Sequence, residues 1–458
     1  MKEPYATKIQ LFLLGAAMLV LTGVADARPS SFPTGTTIYN PEKAYNGYIL
    51  FPGADRKTHL IDMDGNEVHR WDYESFPPQP LGTRYTSGKK GHVLVQKARL
   101  ENPPPDAPPG GGMINAAIAE VDWDGNIVWQ WGDQQHPAHQ HHDIRRLDNG
   151  NTLLLTTARR RLDGFDYDVA DNAVKIVDRE GKIVWSWRAS EHLAQLGFVG
   201  DRLQALKDTE DIDFLHFNTA VPLGPNHWYD EGDERFAPDN IMVNSRNANV
   251  TAIIDKDSGD VVWRMGPDFP PIAFNGEVPR PVDQTVGLHD THIIPEGLPG
   301  AGNLLLFDNQ GNAGIPPVKS DFFSSSRVLE INPQTKQIVW QYNAIRSKRA
   351  PWSFYSAFIS SAQRLPNGNT LIDEGQNGRL FQVTPEAEIV WEYVSPFFGK
   401  SRPADDYVTN QVYRAQLVDY DWAPAGTPHA EKPVRPDCAA YPAAPGCLPI
   451  DKAQSTHN

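Results

Sequence analysis

Four residues recur at one place in a repeating pattern, and three of them are histidines. His142 lies five positions before Leu147, His216 five before Val221, His289 five before Ile294, and Ser360 five before Leu365. The chain has only 14 histidines in 458 residues, so three in one register point to a shared placement. Asn218 follows His216 by two and, at the two-residue period of a strand, shares its face. His292 follows His289 by three and points to the other face or nearer a rim. Arg246 ends the apolar segment that follows His216. Neutral imidazoles beside an arginine suit two chemistries. A guanidinium is a planar fork for an oxyanion such as sulfate or phosphate, and a histidine can act as nucleophile or general acid–base group toward a phenol-like leaving group. Alternatively, His142, His216 and His289 could together hold a transition metal ion. A third reading is a non-catalytic module that binds an aromatic or anionic ligand. The plainest reading has each histidine hydrogen-bonding a neighbouring repeat. His136, His139 and His141 form a loop cluster that reads as a rim, a chelator or neither.

The elements that must position these residues come from internal repetition. One phrase recurs six times: an apolar pair, Asp or Asn, a turn, then alternating apolar residues ending in Trp. The copies are LIDMDGNEVHRW, EVDWDGNIVWQW, KIVDREGKIVWSW, IIDKDSGDVVWRM, EINPQTKQIVWQY and QVTPEAEIVWEY, with aligned tryptophans at Trp71, Trp129, Trp185, Trp263, Trp340 and Trp391. Each copy reads as a β-hairpin, because Asp and Gly tolerate the backbone angles of tight turns. The D-x-D-G tetrads at 62–65 and 122–125 are read as such turns, since they lack the other ligands of a calcium loop. A second phrase lies between the hairpins at 145–156, 237–246, 300–309 and 363–375, with a shorter version at 88–96.

Two hairpins per unit make four strands, and six such units predict an all-β fold: a six-bladed β-propeller spanning 46–400, after a lead-in at 28–45. In that architecture the innermost strands line a central channel, so one register from several blades meets at the axis. The repeat tryptophans are expected to wedge between blades as packing residues. Interruptions at 99–113, 224–238 and 265–286 read as loops, and 189–207 as a short helical insertion. From 401 to 458 the repeat is lost, which predicts an irregular tail wrapping the outside.

The first 27 residues read as a secretory signal: Lys2 and Lys8, an apolar run from Leu11 to Val24, then Ala25-Asp26-Ala27. That run is short for a hydrocarbon core of about 30 Å, so cleavage, with no stable membrane insertion afterwards, is favoured over a retained anchor. The expected location is periplasmic or secreted. In such an oxidising compartment Cys438 and Cys447, the two cysteines of the chain, are close enough to close a small disulfide loop. A net charge of −15 repels phosphate backbones and argues against nucleic acid as a partner.

The segments DFLHFNTA, DNIMVNSRNANVTAIIDKDSGDVVWRMG, LHDTHIIP and GNLLLFDNQG resemble the bacterial arylsulfotransferases over roughly residues 115–395. The resemblance implies a periplasmic six-bladed enzyme. It moves a sulfuryl group from an aryl sulfate to a phenol, without a nucleotide donor or other cofactor, through a sulfated histidine. It implies small aromatic sulfates and phenols as partners. His216, His289 or His292 would serve as nucleophile and acid–base groups, with Arg246 and Asn218 holding the oxyanion. His142, Asn218, Asn309, Ser360 and Gln363 would line the substrate pocket. Two departures stand out. The family's covalent histidine belongs to a later blade, where this chain has Ser360, Ser361 and Gln363. Its arginine after F-D-N-G is also missing, since the chain continues DNQGNAG.

Overall fold

The computed structural model describes residues 30, 32–100, 114–318, 325–400 and 405–434. The signal segment and both Cys438 and Cys447 lie outside the described residues. Strands form where the repeats alternate apolar and polar residues, and the turns between them are made as their sequences demand. The Asp62 carboxylate accepts the Asn66 backbone N–H at 2.9 Å, and Asp122 does the same for Asn126 at 2.8 Å. Gly65 and Gly125 complete these turns at φ +86° and +85°, backbone angles that a Cβ disfavours.

The strands pair into five antiparallel sheets. Phe217–Pro222, Ile241–Ser245, Val250–Ile254 and Val261–Met265 make one four-stranded sheet. His289–Ile293, Leu304–Asp308, Arg327–Asn332 and Gln337–Tyr342 make another, with Arg280–Pro281 added at its outer edge. Ser361–Arg364, Thr370–Glu374, Arg379–Val383 and Ile389–Val394 form a third, with the N-terminal Gly35–Tyr39 on its outer edge. An eight-stranded sheet consists of two four-stranded groups, within 79–131 and 140–188, joined by the single pair Asn115–Gln140. The remaining sheet comprises Tyr48–Pro52, Thr58–Ile61 and Glu67–Trp71, completed by Gln416–Val418 from the far end of the chain. The fold is all-β and propeller-like, with few helices.

Each repeat tryptophan reaches the turn of the next repeat. The indole N–H of Trp71 donates to the carbonyl of Asp122, Trp129 to Arg179, Trp185 to Lys256, Trp263 to Pro333, and Trp340 to Pro385, at 2.9–3.0 Å. Trp391 donates to Met63 in the first repeat at 2.8 Å, so the series closes on itself. These side chains therefore pack and tether at once. Apolar cores lie between neighbouring sheets: Leu153 and Val174 of one share a cluster with Ala220, Val243 and Ala252 of the next. The insertion at 189–207 is a 3-10 turn, Ala189–His192, followed by the α-helix Asp201–Asp208. Its Leu206 packs into the same cluster.

The tail departs from expectation. It does not simply wrap the outside, because the edge of Tyr48–Pro52 needs a partner for its backbone groups. Gln416–Val418 supplies one, with Leu417 opposite Ile49.

Candidate active site

The innermost strands are irregular where the histidines sit. Register shifts interrupt the pairing near His142, between Phe217 and Thr219, and between His289 and His292. His142 and His216 adopt φ of +55° and +46°, Asp290 +55°, and Ile359 and Ser360 +58° and +91°. Left-handed backbone is uncommon for residues other than glycine, and bulges of this kind re-aim a side chain. Asn218 consequently does not share the face of His216, as strict alternation predicts. His216 is partly exposed, whereas Asn218 is fully buried.

His142 and His216 meet edge to face, with ring centroids 4.9 Å apart. His142 also shares a 2.7 Å hydrogen bond with His141 through their Nδ1 atoms. The Asp213 carboxylate accepts from His216 Nδ1 at 2.5 Å, which leaves Nε2 with no partner among the described residues. The Arg246 backbone N–H donates to the His216 carbonyl at 3.1 Å, tying the arginine to this histidine. Its guanidinium donates from Nη1 to Asn247 Oδ1 at 2.6 Å and from Nη2 to the Ala357 carbonyl at 3.4 Å. Its buried Nε–H has no partner among the described residues.

His289 is differently placed. Its Nδ1–H donates to Asn309 Oδ1 at 2.7 Å and to the Gly287 carbonyl at 3.0 Å. Its Nε2 accepts the Ile359 backbone N–H at 3.2 Å. Both nitrogens are used by the protein, so this imidazole has no lone pair left for a metal ion or an electrophile. Among the described residues, no three His, Cys, Asp or Glu side chains are grouped so as to hold a metal ion.

Several expected pocket residues are structural. Asn218 donates to the Leu288 carbonyl at 2.7 Å and accepts from Asn244 at 3.0 Å. Asn309 bridges His289 to the carbonyls of Ser356 and Ile359. The Ser360 hydroxyl lies between Ser356 Oγ and the Gly375 N–H. Gln363 bonds the backbone of Leu417 through both ends of its amide. His292 hydrogen-bonds its own strand, at the Asp290 carbonyl, and among the described residues no hydrogen bond or ring contact joins it to the other histidines. A buried amide or hydroxyl that already has its partners gains little by turning to a ligand.

Electrostatics sharpen the contrast. Burial, then the neighbouring His216 and His141, holds His142 well below the ordinary histidine range. Burial, then the Arg246 charge, does the same to His289. Burial lowers His141 to about 4, and Arg246 is also lowered by burial although Asp213 opposes the shift. His141, His142 and His289 are therefore neutral near pH 7.

Sequence reasoning missed Asp213, Tyr413 and Arg414. The first stands three residues before His216, in DFLHF, and that spacing was its signal. The other two come from the tail. The Tyr413 ring stacks on Phe76 at 3.7 Å and lies 5.6 Å from His142.

Residues 118–401 match the arylsulfotransferase (ASST) family. The chain belongs to that family. The match takes in His142, His216, Arg246 and His289, but stops short of Tyr413 and Arg414. No curated protein matches this arylsulfotransferase-family chain. Among solved structures, a protein of unknown function from Bacteroides caccae is 12% identical, with 81% of this chain and 98% of that one covered at a TM-score of 0.45. The Pseudomonas aeruginosa periplasmic gluconolactonase is 9% identical, with 82% and 100% covered at 0.41. A streptogramin B lyase is 12% identical, with 81% and 87% covered at 0.39. Among the described residues, no helix is long and apolar enough to cross a membrane.

Proposed function

We propose that this chain is an exported, six-bladed member of its family that transfers a sulfuryl group from an aryl sulfate to a phenol without a nucleotide donor. Support for six units comes from the closed series of six tryptophans and from the eight-stranded sheet, which divides into two four-stranded groups. Support for export comes from the signal pattern in the sequence.

One observation carries the chemistry. Of the three histidines in axial register, His216 alone has a carboxylate on Nδ1 and partial exposure, and its Nε2 has no partner among the described residues. In this reading the Nε2 lone pair attacks sulfur and the sulfur–aryl oxygen bond breaks. The phenolate departs and takes a proton from water. Asp213 stabilises the charge that develops on the ring and keeps the proton on Nδ1. Arg246, tied through its backbone N–H to the His216 carbonyl, places a guanidinium charge where negative charge builds on the sulfuryl oxygens. An acceptor phenol then attacks sulfur, the N–S bond breaks, and the phenolic proton leaves to solvent. The Ser360 position, where the family carries its covalent histidine, is engaged in internal hydrogen bonds, and His216 takes that role here. His142 forms the adjoining wall, and His289 with Asn309 is scaffold.

The test is intact-mass spectrometry after exposure to p-nitrophenyl sulfate. A gain of one sulfuryl group, mapped to His216, is expected. No mass gain, together with no nitrophenol release with any phenolic acceptor, overturns the reading.

A further inference from the structure

We propose that Arg414 is a positioning residue for the axial histidines, delivered to the site by the C-terminal segment. Before it forms its strand, that segment crosses the inner strands at residues 412–414. The Val412 N–H donates to the Gly375 carbonyl at 2.9 Å, and the Tyr413 carbonyl accepts from the Ser360 N–H at 3.1 Å. The Tyr413 hydroxyl donates to the Asn218 carbonyl at 3.2 Å. Arg414 then points between two sheets. Its Nη1 lies 3.2 Å from Asp143 Oδ1 and its Nε 3.1 Å from Asp290 Oδ1.

Those two aspartates occupy equivalent places, since Asp143 directly follows His142 and Asp290 directly follows His289. The second carboxylate oxygen of each accepts a backbone N–H from the next inner strand, Ala220 for Asp143 and Ala362 for Asp290, both at 3.3 Å. All three charged side chains are at least nine-tenths buried. Two carboxylates facing one axis away from water need counter-charge; Asp143 also has Arg145 Nε at 3.4 Å, but among the described residues only Arg414 pairs with both. Arg414 hydrogen-bonds Asp143 through Nη1 and meets Asp290 as an ion pair beside Nε, a spread that the delocalised charge of a guanidinium allows and the point charge of an ammonium does not. Arg414 thereby pins the backbone where His142 and Asp290, the residue after His289, hold left-handed conformations that non-glycine residues disfavour. This placement stands whatever the reaction is; its effect on rate rests on the sulfuryl-transfer reading.

The full chain with Arg414→Lys or Arg414→Ala provides the test. Diethyl pyrocarbonate modification, mapped by mass spectrometry, reports how well each imidazole is held and covered, with His136, 89% exposed, as internal control. With the folded circular dichroism spectrum retained, His142 and His289 are expected to be modified faster in both variants, and His136 at an unchanged rate. The kcat for p-nitrophenyl sulfate is expected to fall about a hundredfold, the effect of a displacement of roughly 1 Å, with KM little changed. Added guanidinium is expected to restore part of the rate in Arg414→Ala. Unchanged modification of His142 and His289 in both variants overturns the proposal. So does loss of the folded spectrum in Arg414→Lys, because the residue then holds the fold and not the site. Faster modification in a protein whose wild type transfers no sulfuryl group leaves the positioning role standing and removes the proposed reaction.

Discussion

Replacing Asp213 tests the His216 assignment most directly. The carboxylate accepts from Nδ1 at 2.5 Å, and the two side chains are 34% and 27% exposed. A hydrogen bond to a charged group contributes about 1.5–3 kcal/mol. Partial exposure screens the pair, so the lower part of that range applies, about 1.5–2 kcal/mol. If that interaction is made fully only as charge develops on the ring, its loss slows the chemical step roughly 10–30-fold, at about 1.36 kcal/mol per tenfold. Asp213→Ala is expected to show that loss in kcat, with Nδ1–H turning to water. Asp213→Asn is expected to be slower still, because an amide NH2 facing Nδ1 favours the tautomer that puts the proton on Nε2 and blocks attack. The assay is the pre-steady-state burst of nitrophenol from p-nitrophenyl sulfate, measured with saturating acceptor across pH. An Asn variant as fast as wild type, or faster than the Ala variant, refutes the reasoning.

His289→Ala should act on stability first. It leaves Asn309 Oδ1 and the Ile359 N–H without their partner, and each unpaired buried group costs about 1–3 kcal/mol. Denaturant unfolding should show a lower midpoint; an unchanged midpoint contradicts the scaffold role. Histidine burial also sets a pH dependence. An unfolded histidine takes up a proton below about pH 6.5. Folded His141 does so only near 4, so over that window the unfolded chain binds more protons and stability declines as pH falls. His141→Gln should make stability less sensitive to pH between those limits, by up to about 1.4 kcal/mol per pH unit. Parallel slopes for wild type and variant would show that His141 does not titrate differently in the two states.

Much of the fold was legible because strands announce themselves locally. Hydrophobic alternation, Asp-Gly turns and the terminal tryptophan repeat within a dozen residues, and the described strands follow them. The axial register was legible for the same reason: equal distance from a repeated apolar residue implies equal place in a sheet. His142 and His216 do meet. The roles within that register were not legible. The two-residue period pairs Asn218 with His216, but a bulge and a left-handed residue break it. His289 looks equivalent to His216 along the chain, yet Asn309 and Ile359, 20 and 70 positions away, occupy both its nitrogens.

The sequence by itself determined the repeating hairpins, the family and the histidines that face one another, since each rests on patterns confined to short stretches. Only the tertiary structure decided which histidine carries a carboxylate on Nδ1 with an exposed edge, and which distant residues reach the inner strands. Tyr413 and Arg414 come from a tail with no repeat to mark them. They meet Asn218 and Asp143 across separations of 195 and 271 residues. Contacts at that distance depend on ring closure and on the need of buried charges for partners, and no local pattern encodes either.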